Sequence, residues 1–425
     1  MFNSIYSNFD KITDHRENKP IVSLADALMS GFAMFSLKEP SLLSFDKKVS
    51  AEPNLLSIYN VKNAPADTSM RKILDSVNPE NLRPAFNDVF NKFQRGKCLE
   101  DMAFLNGYYL ISADGTGYFS SKETHCNNCM EKKSRDGKIE YYHQIFGAAI
   151  VHPDRKEVIP LCPEPIMKQD GKTKNDCERN AAKRFLEKFR KDHPRLKTII
   201  IEDSLSSNAP HIKDLERHKC SYILGAKEGD HKFLFDYAKS KIEKNDFGKF
   251  EHTDEKDIKH KFHFLNQVPL NESNQDVLVN FIKYWEEKPN GKKQHFSWVT
   301  DIKISTDNVY QIMRGGRARW KIENETFNTL KNQGYNFEHN FGHGNKNLST
   351  VFAYLLMLAF LVDQIQLMAC GLFKAVLKKI GAKIYLWEKL RALFFNFNFH
   401  SMEHLLRIML HGHKRECPIT LENST

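Results

Sequence analysis

Three carboxylates in this sequence stand in contexts suited to sharing metal ions. They are Asp114 in ISADGTGYF, Asp203 in IIIEDSLSSNAP and Glu323 in RARWKIENETFNTLK. Two aspartates and a glutamate brought together offer hard oxygen donors, the set that Mg2+ prefers, while leaving room for phosphate and water. Two such ions, about 3.5–4 Å apart, hydrolyse phosphodiesters: one activates the attacking oxygen and the other stabilises the leaving oxygen. Arg317, Arg319, Lys321 and Lys331 accompany the glutamate, and an arginine can grip a phosphate through two parallel hydrogen bonds.

The elements that would bring these groups together can be read along the chain. YYLISA is a short apolar strand ending at Asp114, and YYHQIFGAAIVHP (141–153) and KEVIPLCPEPI (156–166) are strand-like runs rich in Ile, Val and Tyr. NDCERNAAKRFLEKFRKDHPRL opens on an Asn/Asp cap and sets Ala182, Phe185, Leu186 and Phe189 on one helical face. KTIIIED (197–203) reads as a buried strand ending at Asp203. The order is three strands, a helix and a strand, with carboxylates at the ends of the first and fourth strands, where α/β sheets build sites.

Helical geometry sorts the glutamates. At about 100° per residue, Glu323 lies about 40° from Arg319 and shares its face with Phe327 and Leu330, whereas Glu325 points about 200° away. Glu323 is therefore the glutamate that can meet the aspartates. Lys331, about 80° round from it, suits a DNA backbone contact.

Together the three motifs resemble those of the DDE transposases of bacterial insertion sequences. The resemblance is to the cut-and-paste group with a ribonuclease-H-like core and a Tyr-Arg-Glu-Lys motif on its last catalytic helix, and it covers roughly residues 105–365. It implies that Asp114, Asp203 and Glu323 form the catalytic, metal-binding triad for Mg2+ (or Mn2+), with Arg319 and Lys331 contacting phosphate. The separation of 120 positions from Asp203 to Glu323 matches a group that carries a β-rich insertion in this gap. Two positions depart from the motif: its tyrosine falls on Gly316, with Tyr310 the nearest, and its lysine falls on Leu330, one place before Lys331. In some relatives a tryptophan of the insertion stacks on a flipped base, and Trp298 lies where that residue would be.

The implied architecture is an α/β ribonuclease-H-like core. A helical N-terminal region (1–100) suited to binding DNA ends precedes the first part of the core (101–215). A β-rich insertion (216–300), the last catalytic and buried helices (301–372) and a basic helical tail (373–425) follow. SLADALMSGFAMFSL (23–37), DTSMRKILDSV (67–77, with Asp or Thr as cap) and LRPAFNDVFNKF (82–93) carry helical apolar spacing. The tail sets Lys374, Lys378, Lys379, Lys383, Lys389, Arg391, Arg407, Lys414 and Arg415 against Glu388 and Glu403.

Other constellations bear on metal and cofactor use. HCNNC (125–129) with His143 offers Cys126, Cys129, His143 and His125 to a structural zinc, with Cys162 as another possible ligand. GKT at 171–173 lacks the glycine that a phosphate loop needs at 166, where Ile166 stands, which argues against ATP use. His339 and His343, beside Gly342 and Gly344, read as a turn after the catalytic helix, with a histidine near the scissile phosphate as the alternative.

Composition suits this reading. Lys plus Arg number 63 against 53 Asp plus Glu, an excess fitting a polyanionic partner. MFNSIYSNFDKITDHRENKP lacks a secretory apolar core, and eight cysteines are too sparse for a disulfide scaffold, so a cytoplasmic setting is expected. VFAYLLMLAFLVDQIQLMACGLF (351–373) is apolar but carries Asp363, Gln364 and Gln366, which favours a buried helix over a membrane span. The expected partners are double-stranded DNA with terminal inverted repeats and target DNA, engaged by a homodimer on paired ends. A ribonuclease-H-like nuclease or resolvase without strand transfer, and an inactive zinc-braced DNA-binding protein, are the alternatives.

Overall fold

The structure, a computed structural model, describes residues 1–17, 20–49, 52–168 and 177–412. The GKT run at 171–173, the Asn/Asp cap at 175–176, and Lys414 and Arg415 of the tail lie outside the described residues. The chain divides into two compact units, one of Met1–Val89, Asn332–Asn336 and Asn347–Thr425, the other of Phe90–Lys331 and Phe337–Lys346.

The first unit is helical. Its N-terminal helices Phe2–Asp10, Leu24–Ser36, Leu42–Val49, Pro53–Tyr59 and Asp67–Asp75 share a core with Leu348–Ala369, Gly371–Ile380, Lys383–Phe394 and Met402–His411. Every residue of Leu24–Ser36 is buried, and Ser23 caps it by accepting from the Asp26 N–H. In the helix Asp67–Asp75 the N-cap position falls on Ala66, with no side-chain cap bond, instead of on Asp67 or Thr68; Asp67 takes the first turn, where its charge complements the helix dipole. Leu348–Ala369 is long and apolar enough to cross a membrane by composition, yet it is buried along nearly all its length. Its Asp363 meets Lys38 at 2.5 Å and the Tyr335 hydroxyl at 2.6 Å, which explains how an ionisable group is accommodated there.

The second unit is built on one twelve-stranded sheet. Its strands are β1 (Ala103–Phe104), β2 (Tyr108–Ser121), β3 (Met130–Lys133), β4 (Ile139–Val151), β5 (Ile159–Pro160) and β6 (Glu164–Ile166), then β7 (Thr198–Glu202), β8 (Ser221–Gly225), β9 (Gly248–Thr253), β10 (Lys259–Asn271), β11 (Asn274–Glu287) and β12 (Lys293–Thr300). Their order is β3-β4-β2-β7-β8-β12-β11-β10-β9, with β1 on β2 and with β5 and β6 on β4. β2, β7 and β8 run parallel, and β4 runs antiparallel to β2. The helix Glu178–Asp192 joins β6 to β7 and buries Ala182, Phe185, Leu186 and Phe189, as its spacing predicts.

The expected strand at 156–166 is instead two fragments, because Pro160, Pro163 and Pro165 bring no N–H to the ladder. Charged residues between 230 and 250 form part of a helix, Lys232–Glu243, and β8 belongs to the parallel part of the sheet. From β12 outward the sheet continues as an antiparallel meander.

Candidate active site

Asp114 owes its position to a change in strand pairing. β2 pairs with β7 only from Tyr109↔Thr198 to Ser112↔Ile201, while its pairing with β4 continues to Ser121. Asp114 therefore lies inside a long strand and not at a strand end, but just past the point where the neighbour on one side stops. β7 ends at Glu202, so Asp203 leaves the sheet beside this gap. The Asp203 carboxylate accepts from the Leu205 N–H at 2.9 Å, while the adjacent Glu202 is buried and held by His211 at 2.6 Å. Both carboxylates border the gap, Glu202 engaged by His211 and Asp203 by the turn that follows it. Asp114, Glu178 and Asp203 line one cavity of about 660 Å3.

Glu323 comes from the other side. It stands in a π-helical turn, Ile322–Phe327, between the helices Val309–Arg317 and Asn328–Asn332. The expected uninterrupted α-helix is thus widened at the glutamate; π-turns inside helices are frequent at functional sites. The Ser112 hydroxyl donates to the Arg319 carbonyl at 2.8 Å, tying this helix to β2. Phe327 is buried against Gly147, the residue opposite Asp114 in β4. Gly316 explains its own departure from the motif. A Cβ there would come within 2.5 Å of the Trp298 indole nitrogen, so no tyrosine fits.

One guanidinium joins the carboxylates. Arg319 lies 2.8 Å from Glu323 and 3.4 Å from Asp114. Burial, reinforced by the Glu178 and Glu323 charges, pushes the Asp114 carboxyl up to about 6, against the Gly115 N–H and Arg319, which favour ionisation. Glu178 is likewise raised by burial and then by Asp203 and Glu202. Sequence reasoning missed Glu178, which opens a polar helix and gives no local signal. A crowd of half-buried carboxylates with one arginine is an oxygen donor set short of positive charge, and it fits divalent cations.

The remaining basic candidates have other partners. Arg317 pairs with Glu286 at 2.8 Å and lies over the Phe296 ring; Lys321 donates to the Arg155 carbonyl; Lys331 pairs with Glu338 at 2.7 Å. Trp298 is buried, with its indole against Gly316 and stacked on Phe296, so it packs the wall of a cavity and does not present a free ring face. Trp320 is half-exposed, carries the Arg319 guanidinium 4.7 Å from its ring, and lines the same cavity as Trp298 and Asp203.

Beyond the carboxylates, Cys126, Cys129 and His143 come together with His343. The expected fourth partner, His125, stacks on Tyr141 outside the group, and Cys162 bonds to the Pro163 carbonyl. His343 accordingly faces the thiols and not the carboxylates.

Residues 163–361 match the family model described as the transposase DDE domain, a span that holds Asp203 and Glu323 and begins after Asp114. Among solved structures, the chain is similar to piggyBac transposase, determined by cryo-EM in a synaptic complex with hairpin DNA. That match has 12% identity and a TM-score of 0.41, covering 100% of this chain and 87% of that one. No curated protein matches the chain.

Proposed function

We propose that this chain, whose residues 163–361 match the transposase DDE domain, is a DNA transposase that cuts at insertion-sequence ends and joins them to target DNA with Asp114, Asp203 and Glu323 as its metal-holding triad. The observation that carries the assignment is the meeting of Asp114 and Glu323 on Arg319, with Asp203 and Asp114 lining one cavity. The strand order β6-β4-β2-β7-β8, with β2, β7 and β8 parallel, supports a ribonuclease-H-like core.

Two divalent cations, Mg2+ or Mn2+, when bound here supply activation of the attacking oxygen and stabilisation of the leaving oxygen. The chain's own residues do the rest. Arg319 holds Glu323 toward Asp114 and offers its remaining N–H groups to a phosphate. Glu178 adds a further carboxylate to the cavity that Asp114 and Asp203 line. Water attacks the end phosphodiester first, and the freed 3′-hydroxyl then attacks target DNA. The helical unit, with its basic C-terminal helices, supports non-specific phosphate contact. On this reading, residues 1–100 read the terminal inverted repeats, and a homodimer assembles on paired ends in the bacterial cytoplasm.

The test is cleavage and joining of a labelled DNA fragment bearing the element's end, with Mg2+ or Mn2+. Asp114→Ala, Asp203→Ala and Glu323→Ala abolish both reactions, while Glu325→Ala retains them. Activity surviving Glu323→Ala but lost with Glu325→Ala overturns the triad. Cleavage without any joined product shifts the reading to a nuclease or resolvase.

A further inference from the structure

We propose that Cys126, Cys129, His143 and His343 form a structural zinc site that fastens the loop after the catalytic helix to the strands bearing Asp114. The two sulfurs lie 3.8 Å apart, each is 3.4 Å from His143 Nε2, and Cys129 Sγ is 3.4 Å from His343 Nε2. Zinc bonds of about 2.3 Å to sulfur and about 2.0–2.1 Å to nitrogen, arranged tetrahedrally, put sulfurs about 3.8 Å apart and sulfur and nitrogen about 3.5 Å apart. These four distances agree with that figure, and all four donor atoms lie within 4.8 Å of one another. Two thiols and two imidazoles also make the soft donor set of zinc and not that of Mg2+.

The surroundings are those of a closed site. Cys129, His143 and His343 are buried, Phe119 packs against the His343 ring, and Tyr118 stacks on His143. The outer nitrogen, Nδ1, of each histidine is buried without a hydrogen-bond partner among the described residues, which leaves Nε2 as the atom that can fix each ring. Ligation through Nε2 supplies that constraint.

The site's value lies in its connections. Cys126 and Cys129 occupy the turn between β2 and β3, His143 lies in β4 opposite Phe119 of β2, and His343 follows the catalytic helix. Asn128 donates to the Lys346 carbonyl at 2.8 Å across the same junction. One ion thus bridges the segment leaving Glu323 and the strand pair carrying Asp114. Its effect on cleavage rests on the proposed triad; its presence does not.

The experiment is metal analysis of the purified full-length chain by plasma mass spectrometry, followed by replacement with Co2+. One zinc per chain is expected, with Co2+ giving the visible bands and thiolate charge-transfer absorption of a tetrahedral site. Cys126→Ser and His343→Ala lose the metal, His125→Ala keeps it, and His343→Cys, which restores a four-ligand set, keeps it even if the alanine variant misfolds. Zinc absent from the wild type, a disulfide between Cys126 and Cys129 in its place, or loss with His125→Ala but not with His343→Ala overturns the proposal. Zinc present in a protein that does not cleave DNA leaves the site standing and removes the triad instead.

Discussion

Phe327 leaves no room for a side chain on Gly147: a Cβ at that glycine would stand 2.7 Å from the ring. Gly147 faces Asp114 across the β2–β4 ladder, and Phe327 lies one turn beyond Glu323. The contact therefore sets how closely the glutamate approaches the aspartate. Gly147→Val is expected to cost about 1–3 kcal/mol in urea denaturation, as overpacking does, and to lower DNA cleavage. Trimming the ring in Gly147→Val/Phe327→Leu recovers part of both. A Gly147→Val protein as stable and active as wild type would show that the helix has slack here.

Asp114 makes the site sensitive to pH in a direction that can be worked out. Its ordinary value is 3.8, and burial raises it to about 6 in the folded chain. An acid raised on folding contributes stability that is fully present below its unfolded value and is lost as pH rises through the folded one. Without divalent ions, Asp114→Asn should then be more stable than wild type near neutral pH. The gain is about 1 kcal/mol, discounted for the solvent the carboxyl still meets, and it vanishes at about pH 4. Metal binding needs the carboxylate, so cleavage should fall as pH drops through about 6, with a lower midpoint at higher Mg2+. Glu178→Gln removes a negative neighbour and should lower that midpoint too. Urea melts of wild type and Asp114→Asn, with pH–rate profiles of wild type and Glu178→Gln, decide this, and a midpoint unmoved by Mg2+ would exclude Asp114 as a ligand.

How much of this was readable before the structure depends on how local each signal is. The strand before Asp203 was legible because Ile199, Ile200 and Ile201 form an unbroken buried run, and the packed face beside Glu323 because it carries Phe327 and Leu330. The π-turn was not, since apolar spacing of three and four accommodates either winding. β9 gives little local signal because its residues are mostly exposed, and β11 because its first half mixes buried with exposed residues. Glu178 and His343 were missed for a different reason: each acquires its meaning from a partner far along the chain, and in the case of His343 and Cys129 the separation is 214 residues.

The pairing of Lys38 with Asp363 holds the helical unit together at a cost that appears when one partner is removed. Both side chains are buried, and the ammonium also lies over the Tyr335 and Trp387 rings. Lys38→Met strands the carboxylate and is expected to destabilise the chain by about 3–5 kcal/mol. Lys38→Met/Asp363→Leu, which removes both charges, should recover much of that loss. Denaturation of the single and double variants measures the coupling; additive effects would mean that the two groups do not depend on each other.

The two tryptophans of the cavity beside Asp203 should separate packing from DNA contact. Trp298 is buried against Gly316 and Phe296, so Trp298→Ala is expected to cost about 3–5 kcal/mol through the void it leaves. Trp320 is half-exposed and lies against the Arg319 guanidinium, so Trp320→Ala should change stability by less than about 0.5 kcal/mol. Its ring, with an arginine on one face and a cavity at its edge, is placed to stack on a base, and such a stack contributes about 1–3 kcal/mol. Binding of a fluorescent DNA end by the two variants, measured alongside their melting, makes the distinction. The assignment fails if Trp320→Ala binds DNA as tightly as wild type, or if Trp298→Ala folds normally and only its DNA affinity suffers.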